Sequence, residues 1–107
     1  MLLSIVVPVY NEEENIANFY KAVTDVMSGL TYDYELIFVD DGSSDSSAMI
    51  LREIAFNDKH VKVLLLARNF GHQTALTCGL DYAHGDAVIT MDGDMQHPPA
   101  LIPELVR

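Results

Sequence analysis

Apolar residues gather in four stretches of the chain, residues 3–9, 35–39, 61–67 and 87–91, each dominated by Val, Ile and Leu. None alternates apolar with polar positions, so each reads as a strand covered on both faces, as in a parallel sheet. The segments between them follow a different period. Ile16, Phe19, Tyr20, Val23 and Met27 fall on one face of a helix. The acidic run Glu12, Glu13 and Glu14 is expected in its first turn, where the helix dipole favours negative charge. "SSDSSAMILREIAF" predicts a second helix, capped by Ser or Asp, with Ala48, Leu51, Ile54 and Ala55 on its inner stripe. A third places Ala75, Leu76, Gly79, Leu80 and Ala83 together and stops at Gly85; its small residues would let it lie close to the sheet.

The resulting order is β-α-β-α-β-α-β. Right-handed crossovers convert it into a doubly wound α/β fold with a mainly parallel sheet and helices on both faces, for which the strand order 3-2-1-4 is expected. "PPALIPELVR" then reads as the opening of a fourth helix, with Pro99 near its first turn. The fourth strand is left with an open apolar edge, which predicts self-association into a homo-oligomer. Residues 1–107 are accordingly expected to be the first half of a larger domain.

Composition narrows the partners. The 107 residues are 50% hydrophobic, enough for one domain with a core and too apolar for a disordered chain. Sixteen acidic residues against six basic ones, a formal charge of −10, argue against nucleic acid, whose phosphates need clustered Lys and Arg. An anionic small molecule would need a metal ion or backbone N–H groups to offset that charge. Cys78 is the only cysteine, read as a small packed residue of the third helix; no internal disulfide can form, and a reducing compartment is expected. The N-terminus lacks a basic leader, and no apolar run reaches the length of a membrane span, so a cytoplasmic location is expected.

Open α/β sheets bind ligands beyond the carboxyl ends of their strands, near the point where strand order reverses. Here the strands end in "PVYNE", "VDDGSSD", "LARNFG" and "MDGD", so three of the four deliver acids to one rim. Asp92 and Asp94, two apart in an extended stretch, point to the same side. Two carboxylates ~4 Å apart repel by about 4 kcal/mol at an effective dielectric of 20. A Mg²⁺ or Mn²⁺ ion would remove that penalty and keep positions open for phosphate oxygens; the alternative is a polar turn with solvated aspartates. Asp40 and Asp41 could serve only the turn at Gly42 and a helix cap at Ser43 or Ser44, or could face the N–H edge of uracil or guanine. Pro8 removes a ladder donor near its strand end and could shape a shelf on which Tyr10 offers a ring to a base, or Tyr10 could simply sit half-buried in the turn. Arg68 could meet a phosphate or pair with the acidic rim. His60, His72, His84 and His97 show no metal-ligand spacing and are expected in surface or loop positions.

Taken in order, "IVVPVYNEEENI", "ELIFVDDGSSDSS", "LARNFGHQTALTCGLDYAHGD" and "ITMDGDMQHPP" resemble the family 2 glycosyltransferases of the GT-A fold over essentially the whole chain. "RNFG" and "DGDMQHPP" are most similar to the branch that transfers sugars to polyprenyl phosphates, typified by dolichyl-phosphate mannose synthases and bactoprenol glucosyltransferases. The resemblance implies a nucleotide-sugar donor, UDP-linked or GDP-linked, with the uridine form favoured by analogy with the bacterial branch. It places Pro8, Tyr10 and Glu12 at the nucleoside and Asp41, with Asp40 beside it, at the base. It also makes Asp92 and Asp94 the D-x-D pair that holds Mn²⁺ or Mg²⁺ against the diphosphate, with Gln96 as an active-site neighbour. It implies inverting transfer to a lipid-phosphate acceptor at the cytoplasmic face of a membrane. Residues 1–107 would then be the nucleotide-sugar-binding half, with the acceptor half and any membrane segment outside it.

Two rival readings are a non-catalytic fragment that keeps the nucleotide site, and a receiver-like signalling domain. The latter needs a phosphoacceptor Asp ending the third strand, where this chain has Ala67, Arg68 and Asn69.

Overall fold

A computed structural model of the protein describes residues 1–92. Asp94, Gln96, His97 and the expected fourth helix lie outside the described residues. Four strands, β1 (Leu2–Val9), β2 (Asp33–Asp40), β3 (Val61–Leu65) and β4 (Ala87–Thr90), alternate with three helices, α1 (Ile16–Ser28), α2 (Ser47–Asn57) and α3 (His72–Tyr82). The sheet order is β3-β2-β1-β4 and every pairing is parallel, as the order of apolar runs requires.

Strand alternation splits the core in two. Leu3, Ile5, Val7 and Val9 of β1 and Leu36 and Phe38 of β2 pack with Ile16, Phe19, Val23 and Met27 of α1 and Leu51 of α2. The Phe19 and Phe38 rings meet edge to face, 6.2 Å between centroids. On the other face Val6, Ile37 and Val39 pack with Ala75 of α3. Gly79 makes that approach possible: a Cβ there would stand 2.3 Å from Val6 Cγ1.

Only the two central strands are covered on both faces. β3 is half-buried; Val88, on the face covered by α3 alone, is substantially exposed, and so are Leu65 at the end of β3 and Leu80 of α3. Two helix starts also differ from expectation. Glu12, Glu13 and Glu14 precede α1 instead of forming its first turn. Asn11 takes a left-handed backbone (φ 52°), and the amides of Glu12 and Glu13 are drawn sideways to Ser47 Oγ and the Asp45 carboxylate. Neither Ser43 nor Ser44 caps α2. The Asn11 amide donates to Ser43 Oγ, the Ser44 amide donates to Asn11 Oδ1, and α2 begins only at Ser47, whose amide donates to Asp45 Oδ1. The β1–α1 and β2–α2 loops are thereby laced together at the carboxyl rim.

Candidate active site

The rim is shaped first by where the sheet divides. β1 pairs with β4 only as far as Val6 opposite Thr90, and the last bond there runs from the Met91 amide to the Val6 carbonyl. The next β1 amide facing β4 would be that of Pro8, which has none to offer. β1 meanwhile continues along β2, with the Asp41 amide donating to the Val9 carbonyl. The strands part at Pro8 without leaving a donor stranded, and two clefts open around it.

The first, about 310 Å³, is lined by Pro8, Val9, Tyr10, Asp41, Asn69, Gly71 and His72. The second, about 200 Å³, is lined by Pro8, His72, Leu76, Thr90, Met91 and Asp92. They share Pro8 and His72, so one continuous floor runs from Asp41 at the end of β2 to Asp92 beyond β4.

Asp41 is only 3% exposed. Its Oδ1 accepts from the Phe70 amide at 2.9 Å; its Oδ2 accepts from the Gly71 amide at 3.1 Å and from Asn69 Nδ2 at 3.1 Å. The carboxylate therefore dictates the course of the β3–α3 loop. Gly42 follows with φ 71°, and a Cβ on it would lie 2.2 Å from the Arg68 carbonyl carbon, so that loop is pressed directly on its backbone. Asp40 takes the opposite face of β2 and is equally buried, its Oδ2 accepting from the Ser43 amide at 3.2 Å while Oδ1 has no partner among the described residues. Tyr10, 47% exposed, presents its ring along the first cleft. The Glu12 carboxylate accepts from Asn15 Nδ2 at 2.7 Å, and the Arg68 guanidinium stacks 4.7 Å from the centroid of the Phe70 ring; neither residue lines the clefts.

Of the residues singled out in the sequence, Pro8, Tyr10, Asp41 and Asp92 line this floor. His72 is exposed, as expected, and it opens α3 at the junction of the clefts, with Nε2 4.0 Å from Asp92 Oδ1. Asn69 and Gly71 belong to the "RNFG" stretch quoted above, but neither was given a site role. Nothing in their spacing announces that role; the carboxylate of Asp41, 28 and 30 positions earlier in the chain, puts them there.

The resemblance of "MDGD" to a D-x-D pair implies a divalent cation at Asp92. The side chain is partly exposed at the mouth of the second cleft, a hard oxygen donor suited to Mg²⁺ or Mn²⁺. Among the described residues no three His, Cys, Asp or Glu side chains form a complete metal cluster. Asp92 fits as one member of a donor set whose sequence partner is Asp94.

The fold and its rim define a nucleotide-sugar transferase scaffold of the GT-A type. The chain belongs to glycosyl transferase family 2, whose profile matches residues 4–107. It is 48% identical over 105 residues to the undecaprenyl-phosphate 4-deoxy-4-formamido-L-arabinose transferase of Proteus mirabilis, covering 97% of this chain and 32% of that protein. The bactoprenol glucosyl transferase of Shigella phage SfV is 46% identical over 107 residues, covering 100% of this chain and 35% of that protein. The chain thus spans about a third of the length of these curated relatives. Among solved structures, glucosyl-3-phosphoglycerate synthase from Mycobacterium tuberculosis, in complex with Mn²⁺, UDP and glucosyl-3-phosphoglycerate, has a TM-score of 0.74. Its identity is 30%, with 97% of this chain and 38% of that one covered.

Proposed function

We propose that the protein transfers a sugar, with inversion, from a nucleoside-diphosphate sugar to a polyprenyl phosphate, and that residues 1–107 are its donor-binding half. The observation that carries this reading is the continuous floor joining Pro8, Tyr10 and Asp41 to Asp92. The identity to transferases named for undecaprenyl phosphate and bactoprenol supports the acceptor, and the Mn²⁺ and UDP in complex with the mycobacterial synthase support the donor and the cation.

In this reading the Tyr10 ring is the shelf for the base. An ionised carboxylate has about four acceptor sites, and Asp41 uses three of them on the β3–α3 loop. The remaining site, on Oδ1, accepts an N–H from uracil or guanine. Asp40 sits behind it and holds the Ser43 turn, while Glu12, through Asn15, braces the start of α1. Arg68 contributes by stiffening the β3–α3 loop through its stacking on Phe70. Asp92 and Asp94, with Gln96 beside them, would hold Mn²⁺ or Mg²⁺, which offsets charge on the departing diphosphate. The acceptor phosphate oxygen attacks the anomeric carbon as the bond to the diphosphate oxygen breaks, and the electron pair leaves with the nucleoside diphosphate. A phosphate monoester is already ionised, so the attacking oxygen needs no general base. The full enzyme would work at the cytoplasmic face of the membrane, where such donors are soluble and the lipid phosphate is at the interface.

The test is transfer of labelled sugar from UDP- and GDP-sugars to undecaprenyl phosphate in detergent, with Mn²⁺ or with chelator. Label in the lipid fraction that disappears with chelator and falls by at least a hundredfold in Asp92→Asn is expected. Label that persists undiminished in chelator would refute the metal-dependent mechanism.

A further inference from the structure

Pro8 and His72 are the two residues common to both clefts. A ligand that sets its nucleoside beside Tyr10 and Asp41 and its diphosphate at Asp92 must cross that junction. Pro8 offers no side-chain donor there, and His72 does. The remaining described lining residues include neither Lys nor Arg, so nothing else along the described floor brings a mobile cationic or N–H-bearing ring to the diphosphate. The His72 side chain is 61% exposed, and its Nε2 stands 4.0 Å from Asp92 Oδ1, beyond hydrogen-bond length. An oxygen atom crossing between the clefts passes this ring, which lines both of them.

We infer that His72 is a diphosphate-binding residue, donating Nε2–H to a phosphate oxygen of the donor where it passes from the nucleoside cleft to Asp92. The inference rests on the donor reading above and deepens it, naming the side chain that distinguishes a nucleoside diphosphate from a nucleoside. A neutral imidazole can donate through Nε2 and an imidazolium does so as well, so the role survives either protonation state. A hydrogen bond to a charged group is commonly strong enough to be read as about a tenfold change in affinity or more.

The experiment compares the protein with His72→Ala and His72→Gln, titrated with UDP and GDP in the presence of Mn²⁺ and with uridine and guanosine by ligand-observed NMR. Mn²⁺ affinity without nucleotide is followed separately by electron paramagnetic resonance. His72→Ala should bind the diphosphate about tenfold or more weakly, with nucleoside and Mn²⁺ affinities unchanged, and His72→Gln, which restores an N–H, should recover much of the loss. An unchanged diphosphate affinity in His72→Ala would overturn the inference. So would an equal loss for nucleoside and diphosphate, which would make His72 part of the base pocket, or a loss of Mn²⁺ affinity, which would put the ring on the cation. If the unmodified protein binds neither diphosphate, the donor reading itself fails and this inference falls with it.

Discussion

The carboxylate of Asp41 organises three donors of the β3–α3 loop, and no other side chain can present two acceptor oxygens in the same volume. Asp41→Asn is the informative change, because its amide NH₂ would face N–H groups where an oxygen stood. Leaving one buried donor unmatched, and losing charge-assisted bonds to the others, should cost about 2–4 kcal/mol. Urea denaturation would read that as a lower midpoint at constant slope, and a midpoint within error of the parent would contradict the role given to Asp41. The chemistry of this residue was half legible beforehand. "VDDGSSD" marks a rim and Gly42 marks a turn, but the sequence cannot say which aspartate faces the cleft. Strand alternation decides that, turning Asp40 into the face roofed by α1 and α2 and Asp41 toward Tyr10. His72 was not legible at all, since its place depends on where a loop shaped by Asp41 delivers the first residue of α3.

Elements were read more easily than residues, because apolar period survives without tertiary knowledge. Strands β1 and β2 and the inner faces of α1 and α3 follow the pattern of the chain, apart from Leu80, which is exposed. Helix starts were read less well, because Asn11 pairs with Ser43 and Ser44, and the Glu13 amide donates to Asp45, across two loops and not within one helix. The α3 packing gives a sharp expectation. Gly79→Ala gains up to about 1 kcal/mol of helix propensity, but a Cβ at 2.3 Å from Val6 forces α3 off β1. Overpacking of that kind costs about 1–3 kcal/mol, so net destabilisation is expected; a higher melting temperature would contradict the close approach.

At the opposite end of the sheet the buried Glu35 carboxylate accepts from Ser4 Oγ at 2.6 Å and from the His84 amide at 2.7 Å, tying the α3–β4 turn to β1 and β2. Burial alone would raise its pKa. The Ser4 hydroxyl, the His84 amide and the charges of His84 and Lys62 together outweigh burial and hold the carboxyl below the ordinary 4.5. A depressed folded pKa means stabilisation that is present above the unfolded value and lost as pH falls through the folded one. Stability should therefore decline on acidification below about pH 4.5, and Glu35→Gln should decline less steeply over the same range. A constant gap between the two proteins across that range would contradict the assignment.

For the molecule as a whole, the sheet order β3-β2-β1-β4 is the expected one, and that order is what brings the ends of β1 and β4 together. No helix among the described residues is long and apolar enough to cross a membrane. A formal charge of −10 makes the protein as a whole repel a nucleoside diphosphate, so the account stands or falls on a cation at the rim. The most direct test is calorimetric titration with UDP and with GDP, each with and without Mn²⁺, repeated on Asp92→Ala. The account predicts that one nucleotide binds in a Mn²⁺-dependent manner, with affinity at least tenfold weaker in the variant, as expected for loss of a first ligand to the ion. Nucleotide binding of equal strength with and without Mn²⁺, and unaffected by Asp92→Ala, would contradict it.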